Sequence, residues 1–193
     1  MILFIVGLIV FLGVHSVSIV APHWRSRQIA AHGEKAWKGF YSIASLFGFV
    51  MLVYGYGALR HDGPTLYSPP PALRHLALLL MLPVFPLFVA AYVPGRIQRI
   101  ANHPMLLAVK LWAFAHLLAN GTLADVVLFG AFLAWAVADR ISVKRRSVGE
   151  AHDVPVLPAG PINDVLVVVI GLAIYAAFLF GVHRWLIGVS PLA

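Results

Sequence analysis

Two histidines, His15 and His116, lie in the middle of apolar stretches, where an imidazole must find a hydrogen-bond partner or a metal. His15 sits in VFLGVHSVSIV, with Leu8, Phe11 and Ile19 on roughly its own helical face and Gly13 and Ser16 close by. His116 follows Met105, Val109 and Trp112 at heptad-like steps, so it points inward wherever that seam is buried. One buried imidazole on each of two helices is the minimum for a bis-histidine haem. A neutral histidine bonded to a neighbouring helix is the structural alternative, and at the level of the residues both stand.

The remaining candidates are weaker. His103 precedes Pro104 at the start of the same apolar run, a position suited to a helix cap. Lys110 follows two turns later on that face, where it can snorkel to the surface or pair with Asp139 and Arg140, or with Asp125. Asn120 closes the run. His61, in RHDG, and His183 belong near the membrane interface, while His23, His32, His75 and His152 fall in loops or helix ends. With Cys 0 there is no thiolate ligand, disulfide or cysteine nucleophile, so metal or redox chemistry must use His, Met, Tyr, carboxylates or a cofactor. Zinc-protease, nucleophile-elbow and phosphate-loop signatures are missing. Asp and Glu total 7, nearly all in loops or at helix ends, which argues against intramembrane carboxylate catalysis.

The elements that must carry these residues are membrane helices. A chain that is 61% hydrophobic and 11% charged, with a mean hydropathy of +0.90, is not a soluble domain. At about 20 apolar residues per crossing, the sequence predicts an all-α, polytopic integral membrane helical bundle of about six transmembrane helices, near 2–20, 40–59, 73–93, 104–119, 122–138 and 163–187. All of 1–193 reads as a single transmembrane domain. Only Asn120 and Gly121 part the fourth and fifth stretches, each near the lower length limit, so a re-entrant hairpin is the alternative there. Pro22, the 62–71 run, Pro94 with Gly95, and Pro155, Pro158 and Pro161 mark the breaks. Pro83 and Pro86 should kink the third helix and free carbonyls that need internal donors. The first helix lacks a basic start and a cleavage site, and is expected to be retained.

Basic residues cluster after helices 1, 3 and 5: Arg25, Arg27, Lys35 and Lys38, then Arg96 and Arg99, then Arg140, Lys144, Arg145 and Arg146. These loops are expected to be cytoplasmic, with both termini periplasmic. The net charge of +7 is thereby explained by topology. Cations divided among short loops do not make a nucleic-acid face, whereas the Lys144, Arg145, Arg146 cluster suits anionic lipid head groups. No repeat links the two halves, which weakens a transporter reading.

Several motifs, in order along nearly the whole chain, resemble the NnrU family of bacterial membrane proteins. They are GVHS, the GEKAWKGFYSIASL approach to helix 2, YGALRHDG at its exit, NHP, LWAFAHLLANG and ADR at 138–140. The most specific are HP with twelve residues between its histidine and the next, and the trailing LLANG. The resemblance implies an inner-membrane protein associated with denitrification and nitric oxide metabolism. It also implies a haem b: in the 15-cis-zeta-carotene isomerases, which share the domain, the histidines implicated in haem binding match His15 and His116, and those of the HP and RHDG motifs match His103 and His61. Ala113 stands where the plant enzymes carry a cysteine, so a thiol ligand switch of the plant kind is not expected.

The resemblance thus implies nitric oxide or a hydrophobic substrate as ligand, a redox partner, and either an isomerase or a denitrification role; length and pattern favour the latter. An assembly role for nitrogen-oxide reductases is a third reading. A fourth is an isoprenylcysteine-type membrane methyltransferase, which the HP, Asn and ADR sequence resembles; but Asn102 replaces its arginine, and ADRISVKRR is basic where an acidic run is expected. The haem expectation meets a difficulty of depth. At 1.5 Å per residue His15 lies about two-thirds of the way in from the outer surface and His116 nearer that surface, a mismatch of about one to two turns. Without tilt or kinking, His15 is level with Lys110. Substrate and oligomeric state are not written in the sequence.

Overall fold

The computed structural model describes residues 1–60, 63–145, 158 and 160–192. The helices are α1 (Ile2–Val20), α2 (Pro22–His32), α3 (Glu34–Leu59), α4 (Pro71–Met81), α5 (Val84–Ala90), α6 (Arg96–Ala101), α7 (Pro104–Ala119), α8 (Leu123–Arg145), α9 (Asn163–Ala177) and α10 (His183–Ile187), with a π-helical stretch, Phe178–Val182, joining the last two. The protein is an all-α polytopic membrane bundle. Five spans are long and apolar enough to cross a membrane: Ile2–Val20, Glu34–Leu59, Pro71–Ala90, Leu123–Arg145 and Asn163–Ile187. Helix α7 is shorter, at 16 residues. It measures about 24 Å against a hydrocarbon core of about 30 Å. It packs along α8, to which a tight turn joins it.

Packing follows a file: α3 on α1, α1 on α8, α8 on α7, α7 on α4 and α5, and α5 on α9. Glycine sets the closest contacts. A methyl group on Gly7 would overlap the backbone of Leu52, one on Gly55 the backbone of Phe4, and one on Gly48 that of Phe11, so α1 and α3 meet nearly backbone to backbone. Gly171 of α9 likewise admits Pro86 of α5. The main apolar cluster, Phe4, Leu8, Leu52, Ala113, Leu128 and Phe129, joins α1, α3, α7 and α8. Large apolar side chains left exposed on α3 and α9, among them Ile43, Leu46, Phe47, Val165 and Val169, face outward as lipid-facing residues do.

Two local departures from the sequence reading, and the kink expected in the third crossing, have simple causes. The stretch after Pro22 is helical: Ala21 breaks the chain at φ −139°, and Pro22 then starts α2 from its first turn. This helix buries no residue and sets Trp24 edge-on to Trp37, with ring centroids 5.7 Å apart. The second crossing begins at Glu34 because good helix formers precede the apolar run and Lys38 pairs with Glu34 at 2.6 Å. The third crossing divides at Leu82 and Pro83. There the Leu82 amide turns to Leu79 (3.3 Å), and the Tyr175 hydroxyl of α9 donates to the Leu78 carbonyl instead (3.0 Å).

Both chain ends lie at one end of the bundle with the 63–70 segment and the α7–α8 turn. At the other end lie α2 and α6. Asp164, at the start of α9, accepts from the amides of Arg96 and Ile97 (3.0 Å each) and so caps α6 from another crossing. Asn163 beside it donates to the carbonyls of Pro94 (2.8 Å) and Pro158 (3.0 Å).

Candidate functional site

The two intramembrane histidines are held by the same local device. His15 Nδ1 lies 2.7 Å from the Phe11 carbonyl, and His116 Nδ1 lies 2.8 Å from the Trp112 carbonyl, each one turn earlier on its own helix. A carbonyl only accepts, so Nδ1 carries the proton and Nε2 keeps its lone pair in the neutral ring. A hydrogen bond of this kind orients a ligating histidine and leaves Nε2 as the nitrogen that can face a metal or a donor.

Their surroundings differ. The His15 ring packs on Phe11 (4.3 Å between centroids), Tyr41 of α3 (5.2 Å) and the edge of Trp135 of α8 (5.9 Å). Asp139, 7% exposed and one turn beyond Trp135, lies within electrostatic reach of His15 and Tyr41. The Trp135 indole N–H is buried with no hydrogen-bond partner among the described residues. His116 stacks on Phe129 of α8 (4.6 Å, 30°) and packs against Trp112 (5.3 Å). Its carbonyl accepts from both the backbone N–H and the side-chain amide of Asn120, at 2.9 Å each.

A polar network adjoins His116 at the end of the bundle that carries the termini. Asp125, 5% exposed, accepts from the Tyr56 hydroxyl of α3 (2.5 Å) and from the backbone and hydroxyl of Thr122 (3.0 and 2.6 Å). Thr122 in return accepts from the Asp125 amide (3.2 Å), a capping box at the start of α8. The 64–67 segment is fastened to the same turn by Leu66 N–H and Tyr67 N–H to the Gly121 carbonyl (2.8 and 3.2 Å) and by Leu123 N–H to Pro64 (2.9 Å). The Tyr67 hydroxyl donates to the Leu117 carbonyl. These elements border an open cavity of about 300 Å³ lined by Tyr56, Arg60, Tyr67, Arg74, Asn120 and Asp125 among others.

A haem joining His15 and His116 would need the two rings to face one another across a single porphyrin plane. His15 packs on Trp135 and His116 on Phe129, nearly two turns apart along α8, about 9 Å. Phe11, Phe132 and Trp112 fill the interval in mutual contact, Phe11 to Phe132 at 5.7 Å and Phe132 to Trp112 at 5.4 Å. A haem ligated by both histidines would have to take the place of these three rings. Among the described residues, no three or more His, Asp or Glu side chains gather as a metal-ion site.

The other candidates separate as well. His103 caps the start of α7 and Asn120 its end, a helix length of about 24 Å apart, so they do not share a site. Lys110, half-buried, makes no hydrogen bond or ion pair among the described residues. The pairing expected with Asp125 is absent because Tyr56 and Thr122 take that carboxylate. Asp139 is buried beside the His15 cluster, and Arg140 is half-buried next to it. His61 lies outside the described residues, as does His152. Tyr56 and Tyr67 escaped the sequence reading, and Arg60 and Arg74 entered it only as cations opposite the basic loops; the T-x-x-D spacing of Thr122 and Asp125 was the one local signal of this network.

The model of the NnrU family, described as NnrU protein, matches residues 3–191. No curated protein and no solved structure matches the chain.

Proposed function

The chain belongs to the NnrU family, and from that premise we propose that it serves denitrification and nitric oxide metabolism in the bacterial inner membrane, with the polar cavity at the end of α7 as its working centre. The observation that carries this reading is a polar cavity at one end of the bundle, lined by Tyr56, Tyr67, Asn120 and Asp125, with Asn120 bonded to the carbonyl of His116 one turn earlier on α7. A polar cavity of about 300 Å³ suits a small polar ligand better than a long polyene. This favours the nitrogen-oxide role over a carotene-isomerase role, which needs an apolar cleft where Phe11, Phe132 and Trp112 are packed.

Complementation of a deletion strain in a denitrifying bacterium, followed by nitrite and nitric oxide turnover, tests this. His116→Ala and Asn120→Ala, inserted at normal levels, should lose function, while His15→Ala should retain more of it. Full function in every variant would leave only an assembly role. Haem b is tested by the visible spectrum of protein purified with haem supplied. A low-spin bis-histidine spectrum abolished by either His15→Ala or His116→Ala would overturn the separation of the two centres. Cis-carotene isomerisation dependent on both histidines would restore the isomerase reading.

A further inference from the structure

Polar groups from three crossings meet at the level of His15. The close approaches of Gly55 to Phe4, Gly7 to Leu52 and Gly48 to Phe11 fix an antiparallel register between α1 and α3. Carried one turn further toward α2, that register sets Ser45 level with Val14 and His15, and Tyr41 level with Ser18. On α8, Phe132 meets Phe11 and Trp135 meets His15, so Asp139 falls one turn nearer α2, close to the level of Tyr41. The Ser45 hydroxyl and the Trp135 indole N–H are the buried side-chain atoms with no hydrogen-bond partner among the described residues, and both belong to the His15 level. His15 itself presents Nε2 there, since Nδ1 is tied to the Phe11 carbonyl. In lipid a polar group without a partner is costly, and two donors beside an acceptor suit water, which satisfies all three.

Toward α2 the polar lining continues. Tyr41 and the buried Asp139 form the next layer, and Asp139 lies within electrostatic reach of His15 and Tyr41. Arg25 of α2 is within reach of Tyr41 and of Glu34, which pairs with Lys38 at the start of α3. Away from α2 the lining stops. Phe11 contacts Phe49 (6.0 Å) and Phe132 (5.7 Å), and Phe132 contacts Trp112 (5.4 Å), so rings from α1, α3, α8 and α7 close the interior beyond His15.

We propose that the seam between α1, α3 and α8 is a water-filled inlet that opens at the α2 end and stops at His15, which takes up and returns protons through it. The proton arrives on water and is accepted by Nε2, and the imidazolium so formed is stabilised by the Asp139 carboxylate. It leaves by the same route, past Tyr41 and the charged mouth made by Arg25, Glu34 and Lys38. The aromatic layer keeps the inlet from becoming a channel through the membrane. The inference is independent of nitrogen-oxide chemistry and of the cavity at the other end of the bundle.

The test uses the whole protein in nanodiscs. The sequence has Cys 0, so a single introduced cysteine reports without background. Methanethiosulfonate reagents attack the thiolate, which forms in water and not in lipid. Ser45→Cys is expected to react with a small charged reagent of this class at least about tenfold faster than Leu46→Cys or Ile43→Cys, exposed lipid-facing positions on the same helix. In protein carrying nitrogen-labelled histidine, the His15 signals, assigned by their loss in His15→Gln, should change with bulk pH between about pH 4 and pH 9. Ser45→Cys reacting as slowly as Leu46→Cys, while keeping the parent's elution and melting behaviour, overturns the proposal. So does a His15 ring that keeps one protonation state across that range.

Discussion

A carboxylate buried among membrane helices is tolerated only when donors surround it, and Asp125 has three such contacts, one from Tyr56 and two from Thr122. Asp125→Ala should therefore destabilise the protein by about 2–3 kcal/mol, since it removes a cap and leaves Tyr56 without its partner. Tyr56→Phe should cost about 1 kcal/mol. Differential scanning fluorimetry in detergent reads both, and equal melting temperatures for parent and Asp125→Ala would refute the assignment. The two buried imidazoles could be recognised in the sequence because a histidine in an apolar run is conspicuous. The role of Asp125 could not, because Tyr56 lies on another crossing and no local pattern links them. Lys110, for which Asp125 was one of the partners offered, is not among the donors to its carboxylate.

At the scale of elements, the helix ends follow composition closely, as at Pro104 and Ala119 for α7. The contacts between helices do not. Gly7, Gly48 and Gly55 all sit in the α1–α3 seam, while Gly13 and Gly57 on the same helices have open space where a side chain would go. Gly7→Ala and Gly55→Ala should each lose about 1–3 kcal/mol by forcing α1 and α3 apart. Gly13→Ala and Gly57→Ala should be neutral or gain up to about 1 kcal/mol from helix propensity. Thermal unfolding of the four variants separates the groups; a common effect in all four would dismiss the close seam. The kink in the third crossing has the same lesson. Two prolines announce freed carbonyls, but only the packing of α9 on α5 shows that Tyr175 satisfies Leu78.

For the whole molecule, both ends of the chain lie together, opposite α2 and α6. With the basic loops inward, a reporter enzyme active only outside the cytoplasm should work when fused after residue 192 and fail when inserted in 146–157. The reverse pattern would invert the orientation. Sequence alone determined the class of fold, most of the apolar helical stretches and their breaks, and the uneven spread of basic residues among the loops. It could do so because each depends on local composition: a segment either satisfies its backbone within a helix in lipid or it does not, and a cation is either cheap or costly at a given depth. It also placed His15 and His116 at different depths, since rise per residue is fixed. Only the tertiary structure decided what lies between them. The rotation of each helix about its axis is set by glycine seams and by ring packing between distant crossings, and that rotation fills the interval with Phe11, Phe132 and Trp112 while bringing Tyr56, Arg60, Arg74 and Asp125 to one cavity at the end of α7.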